Sequence, residues 1–273
     1  LRSVAELRSF TIGATDGDIG TVDDVYFDDQ SWTIRYAVVD TGRWLPGRQV
    51  LIPPRAIREI DDAGKRVITS LTKGQVQTSP GIETRRPVSR QYETDLYGYY
   101  GYPFYWTGPY RWGLEAYPYA LPLTDLVPPR SEPLPSAVAE ELAARERESQ
   151  DPHLHSARAV IGQGIQAIDG ELGHVEDFLA DDETLAIRYL VVDPQNWWPG
   201  EHVLISTDWI TGVDENDSTV QVTVSKEAVR SAPVYDPSRS LDRDYEARYH
   251  GAHGRRGYWE GEPERWRQRP PAA

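Results

Sequence analysis

Residues 16–57, DGDIGTVDDVYFDDQSWTIRYAVVDTGRWLPGRQVLIPPRAI, recur at residues 169–210 as DGELGHVEDFLADDETLAIRYLVVDPQNWWPGEHVLISTDWI, with 20 of the 42 paired positions identical. The shift of 153 residues (Asp16 to Asp169) needs no gap, and chance would match only a few positions. It continues through Val67/Val220, Lys73/Lys226, Val76/Val229 and Pro80/Pro233, and on to Tyr92/Tyr245, Glu93/Glu246, Gly98/Gly251 and Trp106/Trp259. A repeat this long means one small domain written twice.

Each copy reads as short strands separated by turn residues. In the first copy, strands are expected at Ile19–Phe27, Trp32–Asp40, Val50–Ile52, Ile57–Ile60 and Val67–Leu71. Ile34, Tyr36 and Val38 fall on one face of the second strand by their period of two. Asp28-Asp29-Gln30-Ser31 makes a polar hairpin turn, and a Trp-x-Pro-Gly turn (Trp44, Pro46, Gly47; Trp197, Pro199, Gly200) leads into the third strand. Strands of this number and spacing predict an all-β chain of two small antiparallel barrels, since closure removes exposed edges. The aromatic turns are expected to plug a barrel or seal an interface.

Outside the copies the composition changes. The division expected is copy one at 1–80, a connector at 81–153, copy two at 154–233 and a polar, mobile tail at 234–273. DLYGYYGYPFYWTGPYRWGLEAYPYALPL, within the connector, carries Gly and Pro too densely for a helix. It reads either as a linker whose rings pack back on a barrel or as an adhesive aromatic segment. Ser136–Gln150 reads as a short helix with Ser136 at its N-cap.

The pattern DGxxGxVxDxxxDDxxxxIRYxVVDxxxWxPGxxVLI, present twice, resembles the PRC-barrel domain family. The family includes the cytoplasmic part of the photosynthetic reaction-centre H subunit and a domain of a ribosome maturation factor. The tail segment VSKEAVRSAPVYDPSRSLDRDYEARYHGAHGRRGYW is similar to that of free-standing bacterial tandem members. The resemblance implies a barrel used as an adaptor. The reaction-centre subunit carries a transmembrane helix and the ribosome factor a separate RNA-proximal barrel. This sequence shows neither pattern, so neither process carries over.

Net charge is −14, with 43 acidic against 29 basic residues. That disfavours nucleic acid, which needs a basic surface. No apolar stretch approaches the ~20 residues of a membrane-spanning helix. The absence of cysteine removes disulfides and thiolate chemistry and is compatible with a cytoplasmic location. The copies differ in charge: Ala14–Asp62 holds ten acids and five bases, whereas Ala167–Glu215 holds twelve acids and one base. Copy two is therefore suited to steering a basic partner.

Paired carboxylates at Asp28, Asp29, Asp181 and Asp182 are weak candidates for a hard-cation site, but Asp-Asp ahead of a hairpin is ordinary turn chemistry. His153, His155, His174, His202, His250 and His253 are read as surface residues. Phosphate loops, nucleophile elbows and zinc-protease motifs are absent from the sequence. The residues kept in both copies read as fold requirements: Gly20, Asp24, Arg35, Tyr36, Asp40, Trp44, Pro46 and Gly47, matched by Gly173, Asp177, Arg188, Tyr189, Asp193, Trp197, Pro199 and Gly200. Arg35 and Arg188 are expected to pair with Asp24/Asp177 or Asp40/Asp193, or to cover the barrel wall. The expectation is a non-enzymatic adaptor without a cofactor, with protein partners. A homo-oligomer is compatible with the sequence. The alternatives are an accessory protein resembling the reaction-centre H subunit at the cytoplasmic membrane face, and a carboxylate-rich ion-binding stress protein.

Overall fold

The structure is a computed structural model that describes residues 1–42, 44–82, 88–106, 110–113, 115, 117–118, 154–194, 201–214, 217–239 and 241–261. The expected helix at 136–150 and the turn residues Trp197, Pro199 and Gly200 lie outside these residues.

In the first repeat, β1 (Arg2–Ser3) and α1 (Val4–Leu7) precede β2 (Thr11–Ala14), β3 (Gly17–Asp28), β4 (Thr33–Asp40) and β5 (Gln49–Ile52). Strands β2 to β5 pair in succession as antiparallel neighbours. The β3–β4 turn forms because the Asp28 carboxylate accepts from the Gln30 and Ser31 amides at 2.8 and 3.0 Å. After β5 the chain turns a corner instead of a hairpin. Pro53 and Pro54 cannot donate to a ladder, and Pro54 starts a 3₁₀ turn. β6 (Ile57–Asp61) therefore runs on to a new edge, and β7 (Arg66–Thr69) returns parallel to β2.

The sheet order is β5-β4-β3-β2-β7-β6. The sheet is mixed in direction, which corrects the expectation of antiparallel pairing throughout; no ladder among the described residues joins β5 to β6. Strand β2 escaped the sequence because it has four residues, one of them glycine, and its parallel partner lies more than fifty residues away in the chain.

The second repeat builds the same sheet. β8 (Leu154–Ser156) and α4 (Ala157–Val160) lead into β9 (Gly164–Ala167), β10 (Gly170–Ala180), β11 (Ile187–Asp193), β12 (Val203–Ser206), β13 (Ile210–Asp214) and β14 (Thr219–Val222). Its order is β12-β11-β10-β9-β14-β13, with β9 and β14 parallel. Gly20 and Gly173 recur for a steric reason. A Cβ at either would collide with the carbonyl oxygen of Asp40 or Asp193 on the next strand.

Both central strands are buried on two faces. Thr33 to Tyr36 are all buried, as are Ile187 to Val192. What covers them is largely helical. α2 (Lys73–Thr78) and its counterpart α5 (Lys226–Ser231) follow the sheets. Then α3 (Arg90–Tyr100) forms in the stretch expected to be non-helical. Ser89 caps its N-terminus, accepting from the Tyr92 amide at 3.2 Å, and Gly101, at φ +70°, ends it. Capping and burial of its rings outweigh the poor helix propensity of tyrosine and glycine. The tail expected to be polar and mobile likewise holds α6 (Arg243–Ala252), capped by Asp242, and α7 (Tyr258–Gly261). No described helix is long and apolar enough to cross a membrane.

The chain divides into two units. One comprises Val4–Arg158 with Asp182–Ala186; the other comprises Leu1–Ser3, Ala159–Asp181 and Ile187–Ala273. The first unit holds the sheet of the first repeat and the second unit that of the second. In the first, β8 adds to β3, and in the second, β1 adds to β10. Each sheet is thus completed by the leading strand of the other repeat.

Candidate functional site

The most concentrated polar chemistry in each unit is a buried carboxylate that joins the helix after the sheet to the central strand. In the first unit, β4 presents Arg35 and Tyr36, and α3 carries Glu93 one turn from its start, fully buried. The Tyr36 hydroxyl donates to Glu93 Oε1 at 2.7 Å, and Tyr105 donates to the same oxygen at 2.6 Å. Arg90, one helical turn before Glu93, reaches Oε2 at 2.9 Å and also donates to the Tyr105 hydroxyl at 3.0 Å. The Arg35 guanidinium stacks over Tyr105, its carbon 3.8 Å from the ring centre. It is held there by Asp28 Oδ2 at 3.0 Å and the Arg111 carbonyl at 2.8 Å.

The second unit repeats this arrangement at the same offset. Tyr189 and Tyr258 donate to Glu246 Oε1 at 3.1 and 2.9 Å, and Arg243 reaches Oε2 at 3.2 Å. Arg188 lies over Tyr258 at 4.0 Å and is 3.9 Å from Asp181.

Burial, and then the negative charge of Glu93, push the Tyr36 and Tyr105 hydroxyls well above their ordinary value. Tyr189 is raised by burial and by Glu246 in the same way. These phenols stay protonated and donating at any physiological pH. Burial alone would raise the Asp28 carboxyl, but the Arg35 charge and the Ser31 amide and hydroxyl bring it below its ordinary value. Glu93 Oε1 receives two phenols and Oε2 an arginine, so the carboxylate is neutralised in place. This chemistry suits fastening a helix to a sheet.

The copies differ around that shared cluster. Where the first has Ala56, Tyr97 and Tyr100, the second has Trp209, His250 and His253. Tyr97 is fully buried, edge-on to Tyr36 at 6.2 Å. His250 is buried in the equivalent place, its Nε2 3.0 Å from the Tyr189 hydroxyl. His253 packs 4.5 Å from Trp209 and 4.9 Å from Tyr249. Burial lowers both imidazoles; His253, also facing His250 and Arg255, falls to about 4.

Arg35 and Arg188 pair with Asp28 and Asp181, not with Asp24 or Asp40, because the hairpin turn places those carboxylates beside the guanidinium. Asp29 faces the buried His155 at 3.1 Å, and Asp182 is exposed. Among the described residues, no group of three or more histidines, aspartates or glutamates is placed to hold a metal. Asp40 accepts from the Gly42 amide at 2.8 Å, and Asp193 lies 3.8 Å from His174. His202 meets Glu176 at 2.7 Å, and His153 lies outside the described residues. The reading of the histidines as surface residues fails for His155 and His250, which aromatic neighbours enclose. Trp44 is half-buried, with Lys73 Nζ 4.6 Å from its ring, while Pro46 and Gly47 are exposed. Asp24 and Asp177 sit at β-bulges.

Sequence reasoning did not pick out Glu93, Glu246, Arg90, Arg243, Tyr105 or Tyr258 as site residues. The available signal was the duplication register itself, which kept a glutamate at 93/246 beyond the sheets.

A family model for the PRC-barrel domain matches residues 3–76 and 152–229. No curated protein matches the chain in sequence.

Proposed function

This chain belongs to the PRC-barrel family through both of its repeats, and we propose that it works as a non-enzymatic adaptor, using paired PRC units to bind protein. The observation that carries this reading is the internal satisfaction of the duplicated cluster. Its carboxylate, phenols and guanidinium groups are consumed by one another in both units. A catalytic acid or base needs a substrate-facing atom and a poised protonation state; these groups serve the fold. Specificity then falls to the surfaces, where the copies diverge. The second repeat carries twelve acids and one base from Ala167 to Glu215, a charge pattern that favours a basic partner.

The test is capture by the full chain at low ionic strength, followed by binding measurements with the purified partner. Adaptor function predicts a partner whose association rate falls with salt. It also falls when the exposed Glu171, Glu201 and Asp208 are replaced by Gln, Gln and Asn. Association indifferent to both salt and these substitutions would remove the electrostatic part of the proposal. Turnover of a small molecule by the purified chain would remove the rest.

A further inference from the structure

The leading strands are exchanged between the repeats in a reciprocal way. Arg2 and Ser3 pair with Ala180 and Leu179 of β10, and His155 and Ser156 pair with Phe27 and Tyr26 of β3. These are equivalent positions in the two copies, so the two acceptors have the same register. Their chemistry matches too. The Ser3 hydroxyl donates to Asp177 Oδ2, and the Ser156 hydroxyl donates to Asp24 Oδ2. A bulge in the β3–β4 ladder between Val22 and Asp24, and in the β10–β11 ladder between Val175 and Asp177, turns each carboxylate toward the incoming strand. Asp24 is buried and also accepts the Arg158 amide at 3.1 Å. A buried carboxylate left without that serine would be costly, so the acceptor on β3 requires a strand; Asp177 on β10 is half-buried and takes its serine in the same way.

Nothing in this chemistry distinguishes a strand of the same chain from that of another copy. The exchanged strands have only two and three residues, and they part together with the Ile34–Leu185 and Trp112–Thr184 hydrogen bonds between the repeats. The residues between Pro118 and Leu154 extend to about 120 Å at most, which leaves the choice of donor to concentration.

We propose that Asp24 on β3 and Asp177 on β10 mark two strand-acceptor sites, and that a second copy of this chain can fill them with its own leading strands to give a strand-exchanged dimer. Such a swap reuses contacts the monomer already makes and is closed by symmetry. Its extent follows the ratio of protein concentration to the intramolecular effective concentration, which for linked sites is on the order of millimolar.

The natural chain has no cysteine, so disulfide trapping is clean. Two full-length chains, one Arg2→Cys and one Ala180→Cys, are mixed, unfolded, refolded together and oxidised. Register partners in an antiparallel ladder lie within disulfide range. Exchange predicts a covalent heterodimer that is scarce at micromolar protein and rises to a third or more of the chains near millimolar. A mixture of Arg2→Cys with Ile168→Cys, an exposed position (72%), gives the background. A yield no higher than that background at millimolar protein overturns the proposal. The doubly substituted chain checks the pairing by closing an internal disulfide at monomer mass. If it does not close, unmodified light and nitrogen-15 chains are refolded together and weighed intact. Mixed-isotope dimers that persist for hours after dilution support exchange; dimers that separate at once, or none at all, overturn it.

Discussion

The two units hold the same tyrosine–glutamate–arginine fastening but surround it differently. In the first, Tyr97 and Tyr100 line the helix beside the sheet; in the second, His250 and His253 occupy those places, and Trp209 stands where the first has Ala56. Both versions fill the space with rings. Only the second introduces imidazoles, which burial holds below their ordinary value, and only there does an imidazole share the tyrosine hydroxyl that the glutamate holds. What duplication retained is the fastening; what it let drift is how that fastening responds to conditions.

The largest expected effect comes from breaking the fastening itself. Glu93→Ala leaves two buried phenols and an arginine without their common acceptor, so the first unit should lose about 3–5 kcal/mol in urea unfolding. Glu246→Ala should cost about 1 kcal/mol less, because His250 remains a partner for the Tyr189 hydroxyl. Equal losses would mean that the imidazole contributes nothing to the second unit.

Acid should separate the units next. His250 and His253 have folded values below the ordinary 6.5, by burial first. Below about pH 6.5 the unfolded chain takes up protons that the folded chain does not. The second unit's stability is therefore full above that pH and declines as pH falls toward about 4. Discounted for the partial exposure of His253, the loss is on the order of 1–2 kcal/mol. The opposing groups are Asp208 and Glu260, which favour the charged imidazole at 250, and Arg243 and Arg255, which disfavour charge on these rings. The first unit has tyrosines in both places, so its fastening lacks this response. Its Asp28 carboxyl has a lowered value, so its support is present above about 3.8 and is lost as pH falls from there toward the lower folded value. Replacing both histidines with tyrosine should flatten the second unit's melting temperature between pH 6.5 and 4.5. A dependence that survives the replacement would place the acid response elsewhere.

A smaller contrast concerns Tyr105 and Tyr258. Changing either to Phe removes the hydrogen bond to the glutamate and the one from Arg90 or Arg243, while keeping the ring under its arginine. Each should cost about 1 kcal/mol by urea unfolding. Because the Tyr105 bond is the shorter, 2.6 against 2.9 Å, its loss should be the larger.

How much of this the sequence discloses depends on the distance over which each feature is written. The long strands β3 and β4 and their turn lie in one continuous stretch, and alternation plus the aspartate turn reveal them. The parallel β2–β7 pairing and the two- and three-residue exchanged strands carry no local pattern. Tyr36 and Glu93 are 57 residues apart, as are Tyr189 and Glu246. Only the repeat register ties each pair to the other. Helix α3 was hidden by its composition, since Tyr and Gly favour turns, and Ser89 as a cap was the local clue.

The central claim is that a buried glutamate fastens a helix to each sheet. Hydrogen–deuterium exchange resolved by peptide at neutral pH tests it most directly. The account predicts that Tyr92–Tyr100 of α3 and Tyr245–Ala252 of α6 exchange nearly as slowly as β4 and β11. In Glu93→Gln, fast exchange should appear in α3 while α6 stays protected. Rapid exchange of both helices in the unmodified chain, over sheets that remain protected, would contradict it.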